Sequence, residues 1–161
     1  MADVHNKAVR SKNMRAIRTR DTAIEQRLAA CLDTVGFTWR AQDSSLPGTP
    51  DFILDEWQCV IFTHGCFWHR HACYLFKVPA TRTAFWLDKI DKNVQRDHRD
   101  CALLQALGWR VLWVWECALR GRQKLTEEAL CARLEEWVCC GGRFAAIDGQ
   151  GIKDLSGEML P

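Results

Sequence analysis

Apolar and polar positions along this chain recur with two periods, one helical and one extended. Ile24, Leu28, Leu32 and Val35 repeat at helical spacing, behind Thr22 and Glu25 in the arrangement of a capping box, and Gly36 supplies the stop. Three short strands are expected next, over residues 37–42, 51–55 and 59–63, the last two close enough in sequence to pair. A turn-rich loop, Leu46-Pro-Gly-Thr-Pro50, separates the first from the second. A connector at 78–82 leads into a long helix over 83–107, with Ile90, Val94, Cys101, Leu104 and Leu107 on its buried face and Gly108 at its end. Residues 109–115 read as a strand, and Thr126 caps a final helix that reaches Cys139 and stops at Gly141-Gly142. Residues 141–161 carry no clear pattern and are expected to form a loose tail. The order α-β-β-β-α-β-α predicts one α/β domain, with a basic arm at 1–20 and a core at 21–140.

Composition adds limits. A chain of 161 residues with 48% hydrophobic and 26% charged side chains is long enough for a packed core and excludes wholesale disorder. Net charge is only +2, but residues 1–20 hold six basic side chains against Asp3, a candidate phosphate-binding arm in which Val9, Met14 and Ile17 are the apolar positions. No stretch approaches the roughly 20 apolar residues that cross a bilayer. Nine cysteines without an export-type leader point to a reducing cytoplasm, where thiols are buried or bound to metal. Some of the eight tryptophans are candidates for stacking on bases.

The chemistry concentrates in Ile61-Phe-Thr-His-Gly-Cys-Phe-Trp-His-Arg-His-Ala-Cys73, which holds three of the five histidines. Cys66, Cys73 and a histidine supply three zinc ligands from one loop that opens where a strand ends. Cys117, just past the end of the 109–115 strand, is the natural fourth, giving a closed structural site; spacing leaves His69 and His71 both open as the imidazole ligand. Cys31, Cys59 and Cys101 sit on apolar faces and are expected in the core. Asp51, with the carbonyl or hydroxyl of Thr63, offers hard oxygen ligands for Mg²⁺. His64 or His69 could act as general base toward phosphorus, and Glu25 is a minor candidate beside its capping role. Phe67 and Trp68 suit a wedge between base steps, and Trp86, Lys89 and Asn93 share one face of the long helix, as a duplex-facing surface would.

These residues resemble the very-short-patch repair (Vsr) DNA mismatch endonucleases. The likeness runs from Arg10-Ser-Lys-Asn-Met-Arg-Ala-Ile17 through Leu46-Pro-Gly-Thr-Pro-Asp51 and residues 61–83 to Val114-Trp-Glu-Cys-Ala-Leu-Arg-Gly121, and Phe-Thr-His-Gly-Cys-Phe-Trp-His is its most specific part. The resemblance implies a restriction-endonuclease-like α/β domain with a central mixed β-sheet flanked by helices, and a nick on the 5′ side of thymine in a T:G mismatch. Such mismatches arise in CC(A/T)GG-type sites when 5-methylcytosine deaminates. It implies Mg²⁺ on Asp51 and the Thr63 carbonyl, with His69 as the base, His64 near the phosphate and Glu25 in support. It implies zinc on Cys66, His71, Cys73 and Cys117. Phe67, Trp68 and Trp86 become a major-groove wedge, with Met14 and Ile17 on the minor-groove side. Arg70 and Ala72 interrupt what is a denser histidine run in some relatives, and Arg70 is a candidate for an altered phosphate contact. The implied state is a monomer acting on duplex DNA, with mismatch-repair proteins as candidate partners. Two other functions share these features: a restriction endonuclease on matched duplex, and a zinc-stabilised DNA-binding module without chemistry.

Overall fold

The computed structural model describes residues 22–156. Helix α1 (Thr22–Val35) is followed by strands β1 (Arg40–Ala41) and β2 (Phe52–Leu54), then by a 3₁₀ turn at Asp55–Trp57 and β3 (Cys59–His64). Helix α2 (Thr83–Ala106), β4 (Arg110–Trp115) and a one-turn helix α3 (Glu116–Leu119) come next. Helix α4 (Glu127–Cys140) and strands β5 (Phe144–Asp148) and β6 (Gly151–Asp154) complete the described chain. The six strands form one mixed sheet in sequence order, with β3, β4 and β5 parallel and the outer pairs antiparallel. Parallel neighbours require crossovers, and α2 and α4 supply them, so the central strands are covered on both faces.

Side chains alternate across a strand, and that alternation divides the core in two. Phe52, Leu54, Cys59, Ile61, Leu112 and Val114 pack with α1 and α4, whereas Ile53, Val60, Phe62, Val111 and Trp113 pack with Cys101 and Leu104 of α2. Cys31, Cys59 and Cys101 are buried as expected; burial pushes their thiols up to about 12, about 12 and about 11. Thr126 caps α4 by accepting the Ala129 N–H at 3.1 Å.

Three expectations change. The tail is not loose: β5 pairs with β4 and β6 with β5, and Ala145 and Ile147 are buried in the core. The first strand shrinks to Arg40–Ala41, because Phe37 and Trp39 leave extended pairing to pack instead. Phe37 meets Trp57 edge-on at 5.7 Å, and the Trp39 indole donates to Asp33 at 2.8 Å. Leu107 is 62% exposed, since α2 ends at Ala106 and the chain turns away through Gly108 at φ +94°; Val94 is only half-buried. Glu25 faces inward and is 2% exposed, in the position described below. The basic arm, with Met14 and Ile17, lies outside the described residues, as does the Thr22 side chain.

Candidate active site and metal centre

The end of β3 sends consecutive side chains to opposite faces of the sheet. Thr63 turns toward α1. Its N–H donates to the Asp51 carboxylate at 2.8 Å, and its hydroxyl lies 3.1 Å from the same oxygen and 3.4 Å from Glu25. Asp51 and Glu25, both 2% exposed, thus converge on one hydroxyl and make an oxygen-rich pocket of the kind a hard divalent cation takes. Arg27, two residues along α1, donates to the carbonyls of Ala118, Leu119 and Leu125. That clamp anchors α1 to the segment after β4 and holds Glu25 at the site.

His64 turns toward α2. It stacks on His69 with centroids 4.1 Å apart, and Trp113 and Trp115 flank it at 5.0 and 5.2 Å. His69 Nδ1 lies 2.5 Å from Asp97 Oδ2. A carboxylate behind an imidazole fixes the ring's orientation and stabilises the imidazolium formed on taking a proton. Sequence reading missed Asp97. Its signal was there: it lies four residues beyond Asn93, continuing the Trp86, Lys89, Asn93 face by one more turn.

Cys66, His71, Cys73 and Cys117 bring their ligand atoms within 4.8 Å of one another. His71 Nδ1 stands 3.6 Å from both Cys66 Sγ and Cys117 Sγ. Tetrahedral zinc, with Zn–S near 2.3 Å and Zn–N near 2.0–2.1 Å, would set that separation at about 3.5 Å, so the donor set fits the ion. β3 and β4 are parallel neighbours with His64 opposite Trp115, which brings the loop after one strand to the loop after the other. The Cys66 thiol beside it, and then His71, lower the Cys117 thiol, while Cys66 itself is pushed up. His71 stacks on Trp115 at 4.3 Å, and its Nε2 faces Asp148 at 3.5 Å, a second residue that reading the tail as loose had hidden. Glu116, also unforeseen, accepts the Cys66 N–H at 3.1 Å and pairs with Arg120. Tyr74 ties the same loop to the 121 turn by accepting the Arg122 N–H at 3.0 Å.

A cleft of about 480 Å³ joins these parts, lined among others by Glu25, Thr63, His69, Phe67 and Trp68. Phe67 and Trp68 form its aromatic wall and pack against Trp86, with ring centroids 5.1–6.4 Å apart; Trp68 is 44% exposed. Lys89 Nζ sits 5.6 and 5.7 Å from the Trp68 and Trp86 rings, and Asn93 Nδ2 donates to the Trp68 carbonyl at 3.1 Å. Arg70 pairs with Asp91 on α2 at 2.8 Å.

Buried carboxylates, a carboxylate-backed imidazole and an exposed aromatic wall around one cleft define a hydrolase that works on nucleic acid. Known proteins make the class specific. A family described as DNA mismatch endonuclease Vsr matches residues 2–75. The chain is 72% identical to DNA mismatch endonuclease Vsr of Escherichia coli (strain K12) over 156 residues, 97% of this chain and 100% of that protein. It is 41% identical to type II nicking enzyme V.XorIIP of Xanthomonas oryzae pv. oryzae, over 66% of this chain and 78% of the relative. It is 37% identical to type II nicking enzyme V.NmeAIP of Neisseria meningitidis, over 76% and 87%. The chain belongs to the Vsr family of DNA mismatch endonucleases.

Proposed function

We propose that this endonuclease nicks one DNA strand 5′ to the thymine of a T:G mismatch in a CC(A/T)GG-type context, starting very-short-patch repair. The cleft supports the reading: Glu25, Thr63, His69, Phe67 and Trp68 line it together. The six-stranded mixed sheet with helices on both faces is compatible with a restriction-endonuclease-like fold.

In this reading Asp51 and the Thr63 carbonyl hold Mg²⁺, with Glu25 shaping the same pocket. The ion, when bound, would supply charge at the scissile phosphate and lower the cost of activating water. His69, backed by Asp97, takes the proton from the attacking water. His64, stacked beside it, faces the phosphate. Cys66, His71, Cys73 and Cys117 hold zinc, which would supply a rigid knot under the loop that carries His69, Phe67 and Trp68. Those two aromatics, with Trp86, wedge into the mismatched step from the major groove, with Met14 and Ile17 on the minor-groove side. Recognition then follows how readily that step unstacks. Lys89 and Asn93 line the same surface. The enzyme acts as a cytoplasmic monomer on duplex DNA, with mismatch-repair proteins as partners. Among the described residues no helix is long and apolar enough to cross a membrane.

Asp51→Ala tests the chemistry. Nicking should disappear while binding to the mismatched duplex stays within a few-fold of the parent. Unchanged nicking would remove Asp51 from the mechanism. Cleavage of both strands of matched DNA by the parent enzyme would favour a restriction endonuclease.

A further inference from the structure

Three of the loop's successive residues are tied to α2. The Trp68 carbonyl accepts from Asn93, the His69 ring faces Asp97, and Arg70 pairs with Asp91. The first two ties matter most, because they join the two halves of the site. A peptide unit is planar, so the six atoms from the Trp68 Cα to the His69 Cα move together. The Trp68 carbonyl is part of that unit, and Asn93 grips it at 3.1 Å. Asp97, one turn further along the same face of α2, grips the ring at the unit's far end. One side of the peptide therefore carries an exposed wedge ring, and the other carries the imidazole.

We propose that Asn93 is a positioning residue for His69, fixing the Trp68–His69 peptide against α2. This rests on the reading of His69 as the base. It adds to Asn93's place on the duplex-facing surface, since one of its two amide hydrogens is committed to the protein backbone. Both grips are closed together, so the wedge ring and the imidazole are held on one rigid unit. Without the Asn93 grip the imidazole is free to shift, and small misplacements at a reacting centre cost on the order of 10²-fold in rate.

Single-turnover nicking at saturating enzyme tests this with Asn93→Ala, Asp97→Asn, the double variant and His69→Ala, on T:G and T:A duplexes. Asn93→Ala should slow T:G nicking by about ten- to a hundredfold, with Kd and the T:G over T:A ratio within about threefold of the parent. The double variant should be slowed much less than the product of the two single effects, because both variants loosen one rigid unit. Multiplying effects, an unchanged Asn93→Ala rate, or a changed T:G over T:A ratio would each overturn the positioning role. His69→Ala separates the two readings: if it nicks at the parent rate, the assignment of the base fails, not the positioning role alone. Matching unfolding temperatures exclude misfolding of this half-buried surface position.

Discussion

Replacing Asp97 with asparagine keeps the shape behind His69 and removes the charge. The two side chains are 2.5 Å apart at their nearest atoms. With charge centres about 4 Å apart and an effective dielectric near 20, the carboxylate stabilises an imidazolium by about 4 kcal/mol. The pair is not sealed, with side chains 24% and 15% exposed, so solvent reduces this to about 2–4 kcal/mol. If His69 takes a proton in the transition state, that interaction is gained during the step. Asp97→Asn should then slow single-turnover nicking by about 30- to 1,000-fold, with DNA affinity nearly unchanged. The assay is rapid quench on end-labelled mismatched duplex with enzyme in excess. A loss below threefold would refute the role of the carboxylate, and a loss confined to affinity would place Asp97 at the DNA surface instead.

Three further outcomes follow from the geometry. Stripping metal with a strong chelator, or Cys117→Ser, should lower the unfolding temperature and abolish nicking together, because the same loop carries the ligands and His69; zinc content by atomic absorption checks it, and one zinc per chain is expected. Gly121→Ala should destabilise the protein by about 1–3 kcal/mol in urea unfolding, because Gly121 has φ +89° and a Cβ there would run into the Tyr74 hydroxyl. Cys31, Cys59 and Cys101 should make stability fall as pH rises: their folded-state values stand above the ordinary 9, so their contribution is complete below about 9 and is lost as pH climbs toward 11–12. The urea midpoint should thus drop between pH 8 and pH 10.5, and drop less in Cys31→Ala.

Much of the site was legible because ligand chemistry is local. Cys66, His71, Cys73 and Cys117 come together as expected, since the ends of adjacent parallel strands share one edge of the sheet. The long helix followed from its apolar period, and the β2–β3 pairing from the closeness of the two strands in sequence. What escaped the sequence depended on tertiary context. Phe-Ala-Ala-Ile-Asp148 has weak strand propensity and becomes β5 because β4 offers an open edge. The turn that follows had a usable signal, since Asp148-Gly-Gln-Gly151 is a two-residue hairpin connection, and Gln150 N–H donates to Asp148 at 2.8 Å. Passing over that hairpin hid Asp148, the carboxylate facing His71. Glu25 fits a local rule as a capping residue, and that rule left it only a minor candidate until its buried side chain was placed beside Thr63. Asp97 is an ordinary acidic residue on an amphipathic helix until His69 is placed against it.

The central claim is a single, metal-dependent nick directed by a mismatch, and strand-specific cleavage tests it most directly. Each strand of matched, T:G and other mismatched duplexes would be labelled separately and incubated with Mg²⁺, then with EDTA. A nick in the thymine strand alone, 5′ to the mismatched thymine and absent in EDTA, is the predicted result. Equal cutting of matched duplex, or cutting that persists without a divalent cation, would contradict the account.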